Sequence, residues 1–488
     1  MALDIPLTLE RRWFPRGNGG WLIRAASLMA ALGMSGSLLA GVPTASEAPA
    51  ERPASDSWWN GRYATGNWWG VRDTLEEKGI EPFGGWKGVF YGITGGGGSA
   101  ARGTFAEQVD LGLILDLGKL AGIEGLTAKG SARYRDGRGP NDYLDTSGSF
   151  SVSAIESGLG WRLMPFYLTY VTPELFGVEH FLTVSGGWQD PWEFFADQPA
   201  SDFFTNAAIN TVKGIGGVNE IPFTTSYAAW GGHLKVQPTD WAYVMAGLYM
   251  AIPDASDSSN HGLFLAGYGP DPGRNGLYFL TEGGVTPEIG PSKLPGKYAF
   301  GSIYWGVENS SFSGGSNDGR NAFYWQADQM LFREAAEDVG VLGKGASNVA
   351  SGSAEPRSRV LTGRGGKAPS PQGLYAFSFF NFSPQYNNTM PFYFQTGAVY
   401  KGLIPGRDLD QVGTAIGYGN YSYDKIAAEN EAGIDVHQTY EAVVEIDYRV
   451  QLTEFAYVQP FWQYVIRPNG TGQTSNANVL GLQMAVNF

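Results

Sequence analysis

Apolar residues recur at every second position along most of this chain, the period of a strand with two unlike faces. From Val109 to Leu117 every odd position is aliphatic, and the even positions are Asp, Gly, Ile and Asp. From Leu126 to Arg135, one face carries Leu126, Ala128, Gly130, Ala132 and Tyr134. The other carries Thr127, Lys129, Ser131, Arg133 and Arg135. Near the C-terminus, Val444, Ile446, Tyr448 and Val450 alternate with Val443, Glu445, Asp447 and Arg449, and the final run from Val479 to Phe488 repeats the pattern. No mature stretch is apolar over the ~20 residues of a spanning helix. If the chain crosses a membrane, a closed barrel is the remaining way to pair every backbone donor and acceptor.

Composition separates a barrel in lipid from a soluble sandwich. Glycine contributes 70 of 488 residues, aromatics reach 14% and charged residues only 16%, against about a quarter in soluble domains. Such a surface faces something less polar than water, and a barrel strand hides only alternate residues in lipid. The apolar faces end in aromatics, as interfacial girdles do, and the last amphipathic strand ends on Phe488. The fold class expected is all-β, a transmembrane antiparallel barrel of about sixteen strands at ~10 residues per strand. A barrel of that size encloses water.

Residues 1–48 read as a signal peptide. Arg11, Arg12, Arg16 and Arg24 form a basic region before an apolar stretch from Ala25 to Leu39, with small residues following towards Ala48. Residues 49–83 are expected as an N-terminal periplasmic segment with a helical turn at Arg72–Lys78. The barrel is expected over 84–488, with a Gly- and Ser-rich flexible insertion at 343–372. Short turns at Leu403–Arg407 and Leu452–Glu454 are assigned to the periplasm, and the longer connections at 423–440 and 467–478 to the outside. Between 140 and 320 the alternation is poorly phased. Trp188 to Asn206, dense in Phe and Asp, is expected on composition alone to fold inward as a constriction.

Particular blocks then resemble a known family. Tyr400 to Asp408, reading YKGLIPGRD, is similar to a turn signature of OprB-type carbohydrate-selective porins. Trp68 to Arg72, with Leu75 and Lys78 to Ile80, resembles the family's N-terminal segment, although Trp69 stands where a glycine is frequent. Ala327 to Gln329 with Arg333-Glu334, Tyr440 to Glu445, Gln459-Pro460 and Gln463-Tyr464 follow in the family's order. The resemblance implies passive diffusion of monosaccharides such as glucose.

The phased strands put Asp110, Asp116, Lys129, Arg133, Arg135, Glu441, Glu445, Asp447 and Arg449 on the inward face as pore-lining, substrate-contacting candidates. Acids and bases are nearly balanced there, which suits a polyhydroxyl solute better than an ion, since a ring of one sign repels its own sign. Trp86, Tyr243 and Tyr249 are candidate stacking platforms in the lumen.

Enzymatic readings find little support. The chain has no cysteine and four scattered histidines, His180, His233, His261 and His437, without ligand spacing. Gly365 to Ala368 is an incomplete phosphate loop. Glu441 and Glu445 would lie about 13 Å apart on a strand, too far for a glycosidase pair. No catalytic residue, cofactor or metal is expected, and a net charge of −14 argues against nucleic acid. Expected partners are small sugars, outer-membrane lipid and the barrel-insertion machinery, with a homotrimer as one possible assembly. The expected place is the bacterial outer membrane. The alternatives are a non-selective, polyol or organic-acid porin, and a barrel-borne enzyme.

Overall fold

The computed structural model describes residues 58–98, 103–137, 150–155, 159–210, 228–251, 261, 276–334, 372–435 and 437–488. The expected signal peptide at 1–48 lies outside these residues, as does all but the last residue of the expected insertion.

Sixteen long strands follow one another around a closed antiparallel sheet. They are β1 (Ile80–Gly95), β2 (Gly103–Asp116), β3 (Leu126–Gly137), β4 (Gly160–Val171), β5 (Leu182–Gln189), β6 (Ala229–Thr239), β7 (Ala242–Ala251) and β8 (Gly276–Val285). Then come β9 (Leu294–Gly306), β10 (Arg320–Arg333), β11 (Gly373–Phe382), β12 (Phe392–Lys401), β13 (Gln411–Asn420), β14 (Tyr440–Gln451), β15 (Ala456–Ile466) and β16 (Ala477–Asn487). Each pairs with its neighbour in sequence. β16 returns to β1 through a ladder that sets Gly85 against Asn487 and Gly92 against Leu480, so no edge is left open.

Side-chain alternation divides the residues into two faces. Leu111, Leu113, Val244, Leu248, Ile416, Ile446 and Leu480 point outward and are exposed on the isolated chain, where acyl chains would meet them. Outward rings pack at tilted angles from strand to strand, as in Phe380 with Phe394 and Trp325 with Phe380, which suits the close cross-strand spacing. Inward glycines make room for rings at two crowded points. A Cβ on Gly301 would lie 2.1 Å from the Tyr324 ring, and one on Gly481 would lie 2.1 Å from the Phe461 ring.

Connections differ at the two ends. The end that carries Phe488 has tight turns after β6 and β14, with helix α2 (Leu117–Ala121) between β2 and β3. Asp116 starts that helix by accepting a bond from the Lys119 N–H. The opposite end carries longer connections, including helix α4 (Tyr423–Glu431), capped by Ser422. Short turns mark the periplasmic side and long loops the exterior. The turns at 403–407 and 452–454 thus sit together at one end and the connections at 423–440 and 467–478 at the other, as the sequence spacing predicts.

Ahead of β1, helix α1 (Val71–Glu77) lies against the start of the barrel wall. Arg72 is buried there. It stacks over the Tyr63 ring at 3.5 Å and the Trp68 ring at 4.7 Å, and donates to the Pro82 carbonyl at 3.0 Å and the Phe488 carbonyl at 3.3 Å. The segment therefore fastens β16 to β1 at their meeting point.

Candidate functional site

Two connections fold back into the barrel instead of extending outward. The larger, residues 190–210, follows β5. Asp190 accepts from the Trp192 N–H at 3.0 Å and Pro191 fixes the first turn, so the chain leaves the strand in a tight 3-10 turn. A second 3-10 turn (Ser201–Phe203) and helix α3 (Ala207–Asn210) follow. The smaller, residues 150–155, comes from the β3–β4 connection. Ser151 accepts from the Ala207 N–H at 2.9 Å, which ties the two together. Inward folding of the segment expected from composition is thus a feature of the structure.

Aromatic burial anchors the larger segment. Phe195, Phe203, Phe204, Ala208 and Ile209 join a buried cluster with inward residues Tyr243, Tyr249, Tyr278, Tyr324, Phe377 and Tyr393. Burying whole aromatic side chains contributes on the order of 2 kcal/mol each, enough to hold a segment of this length against the wall.

Polar wall groups then fix its path. On β8, Glu282 accepts from the Ala196 N–H at 2.8 Å and from the Tyr243 and Tyr324 hydroxyls at 2.6 Å. Gln198 donates to the carbonyls of Ala327 and Ser378. On β14 and β15, Arg449 and Gln459 both donate to the Phe203 carbonyl, at 3.2 and 2.8 Å. Glu445 accepts from the Thr205 N–H at 3.0 Å, the Asn206 N–H at 3.1 Å and Gln463 Nε2 at 2.9 Å.

The wall formed by β2 and β3 has a different character. Asp110 accepts from Arg133 Nε at 2.5 Å and from Gln108, and Gln108 accepts from Arg135 Nε at 2.8 Å. Arg133 also lies in register with Arg162 on β4. Below this group, Lys129 pairs with Glu193 of the inward segment at 3.1 Å, and the Tyr167 hydroxyl donates to the other Glu193 oxygen at 2.8 Å.

The sequence candidates therefore fall into three sets. Asp110, Lys129, Arg133 and Arg135 share the β2–β3 inner face. Glu441, Glu445, Asp447 and Arg449 share the β14 inner face and are fully covered, each at 0% exposure. Asp116 stands apart from both as the cap of α2. Tyr243 and Tyr249 point inward, but Trp86 does not. It alternates with buried Lys87, faces outward beside Val109 in the ladder, and donates to Glu107 at 2.9 Å. Glu282 and Gln198 were not singled out from sequence, and Gln459 and Gln463 entered only as part of the family resemblance, without a place in the lumen. Gln198 lies in the inward segment and the others are isolated polar residues in strands, and their contacts between segment and wall span long stretches of chain.

Chemically, the inner wall offers amide, guanidinium and carboxylate groups of both signs, suited to exchanging bonds with hydroxyls. Among the described residues, no cluster of three or more His, Cys, Asp or Glu side chains is placed to hold a metal ion. A closed sixteen-stranded barrel with a lipid-facing outer surface, a polar inner wall and a connection folded into its lumen defines an outer-membrane porin. A family profile described as "Carbohydrate-selective porin, OprB family" matches residues 102–488. The chain belongs to the OprB family of carbohydrate-selective porins.

Relatives agree across most of the length. The chain is 24% identical to Porin B of Pseudomonas aeruginosa, over 88% of this chain and 92% of that one. It is likewise 24% identical to the putative porin QuiX of Acinetobacter baylyi, over 89% and 95%. The high-pH structure of Pseudomonas putida OprB superposes with a TM-score of 0.74 at 22% identity, covering 89% of this chain and all of that one.

Proposed function

We propose that this porin passes monosaccharides such as glucose passively across the outer membrane, along the polar inner wall that includes β2 and β3. The observation that carries this reading is the mixed-sign character of that wall, where the covered Asp110–Arg133 and Gln108–Arg135 pairs adjoin the partly exposed Lys129–Glu193 pair. Donors and acceptors of both signs alternate there at the spacing of a pleated strand. A neutral polyhydroxyl can exchange bonds along such a row without meeting a barrier of one sign. Lys129, Glu193 and Tyr167 continue the row towards the short-turn end. Binding is expected to be weak, because a conducting site must also release its solute.

A second reading is uptake of small organic acids, favoured by the adjacency of Arg133 and Arg162 in the β3–β4 ladder. Liposome swelling with refolded protein separates the two. Glucose entry faster than that of a size-matched organic anion supports the sugar reading, and the reverse order supports the acid reading. Delivery by the barrel-insertion machinery belongs to the same proposal, supported by the amphipathic last strand that ends at Phe488. The proposal also assigns the expected 49–83 segment to the periplasmic side, supported, for its described residues 58–83, by the contact of Arg72 with the short-turn end of the barrel.

A further inference from the structure

Among the described residues Glu445 is a carboxylate without a basic partner. It accepts from the Thr205 N–H, the Thr205 hydroxyl at 2.5 Å, the Asn206 N–H and Gln463 Nε2, and its carboxyl also meets that of Asp447. Three of these four donors belong to the inward segment rather than to the wall. The side chain is at 0% exposure, so no solute reaches it while the segment is seated. Burying an ionised carboxylate is costly unless donors replace its water, and the backbone N–H groups of two successive residues do so here. The same spot gathers the second inward segment. Gln463 donates to the Val152 carbonyl at 3.0 Å and accepts from Asn206 Nδ2 at 3.0 Å. The Ala154 N–H donates to the Thr205 carbonyl at 3.3 Å.

Glu282 repeats this chemistry nearer the start of the segment. Among the described residues it accepts from the Ala196 N–H and two tyrosine hydroxyls. One segment is thus held by two buried carboxylates, on β8 and β14, each satisfied by neutral donors.

We infer that Glu445 is the positioning residue that sets the aperture of the pore, holding the Thr205–Asn206 turn against β14, with Glu282 doing the same at Ala196. The inference rests on the reading of the lumen as the sugar path. Glu445 acts on selectivity through the segment that covers it and touches no solute. A carboxylate suits this role because it presents only acceptors. A glutamine in its place keeps the shape but leaves a single acceptor oxygen for the Thr205 and Asn206 donors and sets an N–H pair where the second oxygen met the Asn206 N–H, which loosens the turn.

The test compares wild type, E445Q, E445D and E282Q, each checked for a folded barrel by heat-modifiable mobility. Liposome swelling is read with glucose, a neutral disaccharide and a neutral trisaccharide, and single-channel conductance is read in planar bilayers. The expected result for E445Q is a disaccharide-to-glucose rate ratio raised at least about threefold, with larger and noisier conductance. E445D should restore part of the wild-type ratio, and E282Q should move it in the same direction as E445Q. A role confined to barrel stability would lower all solutes together and leave the ratio alone. An unchanged ratio in folded E445Q overturns the inference. Should E445Q fail to fold, an unchanged ratio in E282Q overturns it as well. Wild-type protein that passes glucose no faster than an organic anion of equal size defeats the sugar reading instead, and the ratio among neutral sugars still judges Glu445.

Discussion

Arg133 and Asp110 meet across the β2–β3 ladder with Nε 2.5 Å from Oδ1, both side chains almost wholly covered. Removing one member of such a pair leaves the other uncompensated, and the loss exceeds the net value of the pair. R133M should destabilise the folded barrel by about 3 kcal/mol, and R133M/D110N by clearly less. Urea titration of the protein in liposomes measures both, and equal losses would show that the Asp110 carboxylate left behind carries no penalty.

Arg72 fastens the N-terminal segment to the closing seam by stacking on Tyr63 and by donating to two carbonyls. Lysine keeps the charge but not the flat, forked group. R72K should lower stability by about 2 kcal/mol, the sum expected for a shielded cation–π contact and weakened hydrogen bonds. The temperature at which the folded band converts on a gel should fall accordingly.

Asp410, in the turn before β13, gives a pH dependence with a definite sign. Burial alone would raise its pKa. The bonds from Arg407, the Tyr448 hydroxyl and the Gln451 N–H outweigh burial and hold it below the ordinary carboxylate value. A lowered folded-state pKa means a stabilisation fully present above the unfolded value of about 3.9 and lost as pH falls through the folded one. Wild type should therefore lose stability as pH falls from about 5 to below about 3. D410N should lose less over the same interval, as read from denaturant midpoints.

Leu111 lies on the outward face near the middle of β2. A lysine there would sit in hydrocarbon and should cost about 2–4 kcal/mol of insertion stability. The same change on the outward face at Gly103, at the external rim, should cost less than about 1 kcal/mol. Comparing the two by urea unfolding from vesicles tests the assignment of the outer face.

Strand phase was legible where the two faces contrast. β3 and β14 set small or aliphatic residues against charged ones, so Arg133, Arg135, Glu445 and Arg449 could be placed inward from parity alone. β1 and β7 do not show this contrast. In β1 the outward set includes Gly84, Gly88 and Gly92, while inward Val89, Tyr91 and Ile93 are buried beneath the inward connections. Trp86 was misplaced for that reason, since an aromatic among glycines carries no phase. In β7 and β8 inward Tyr243, Tyr249, Tyr278 and Leu280 are as apolar as their outward neighbours, which erased the alternation between 140 and 320. The partners of Glu445 were beyond reach by another cause. Thr205 lies 240 positions away along the chain, and no local pattern encodes a contact of that span.

Closure of the sheet by β1 and β16 also determines when the molecule can finish folding. Arg72 and Phe488 are 416 positions apart, so their contact and the ladder above it close loops nearly as long as the chain and carry a correspondingly large loop-closure entropy. Until β16 arrives, β1 offers a full row of unsatisfied backbone groups, an edge able to template association with a second chain. Arrival of the last strand is therefore the step expected to complete assembly. A nascent chain stalled before it would be an open, aggregation-prone sheet rather than a narrower pore.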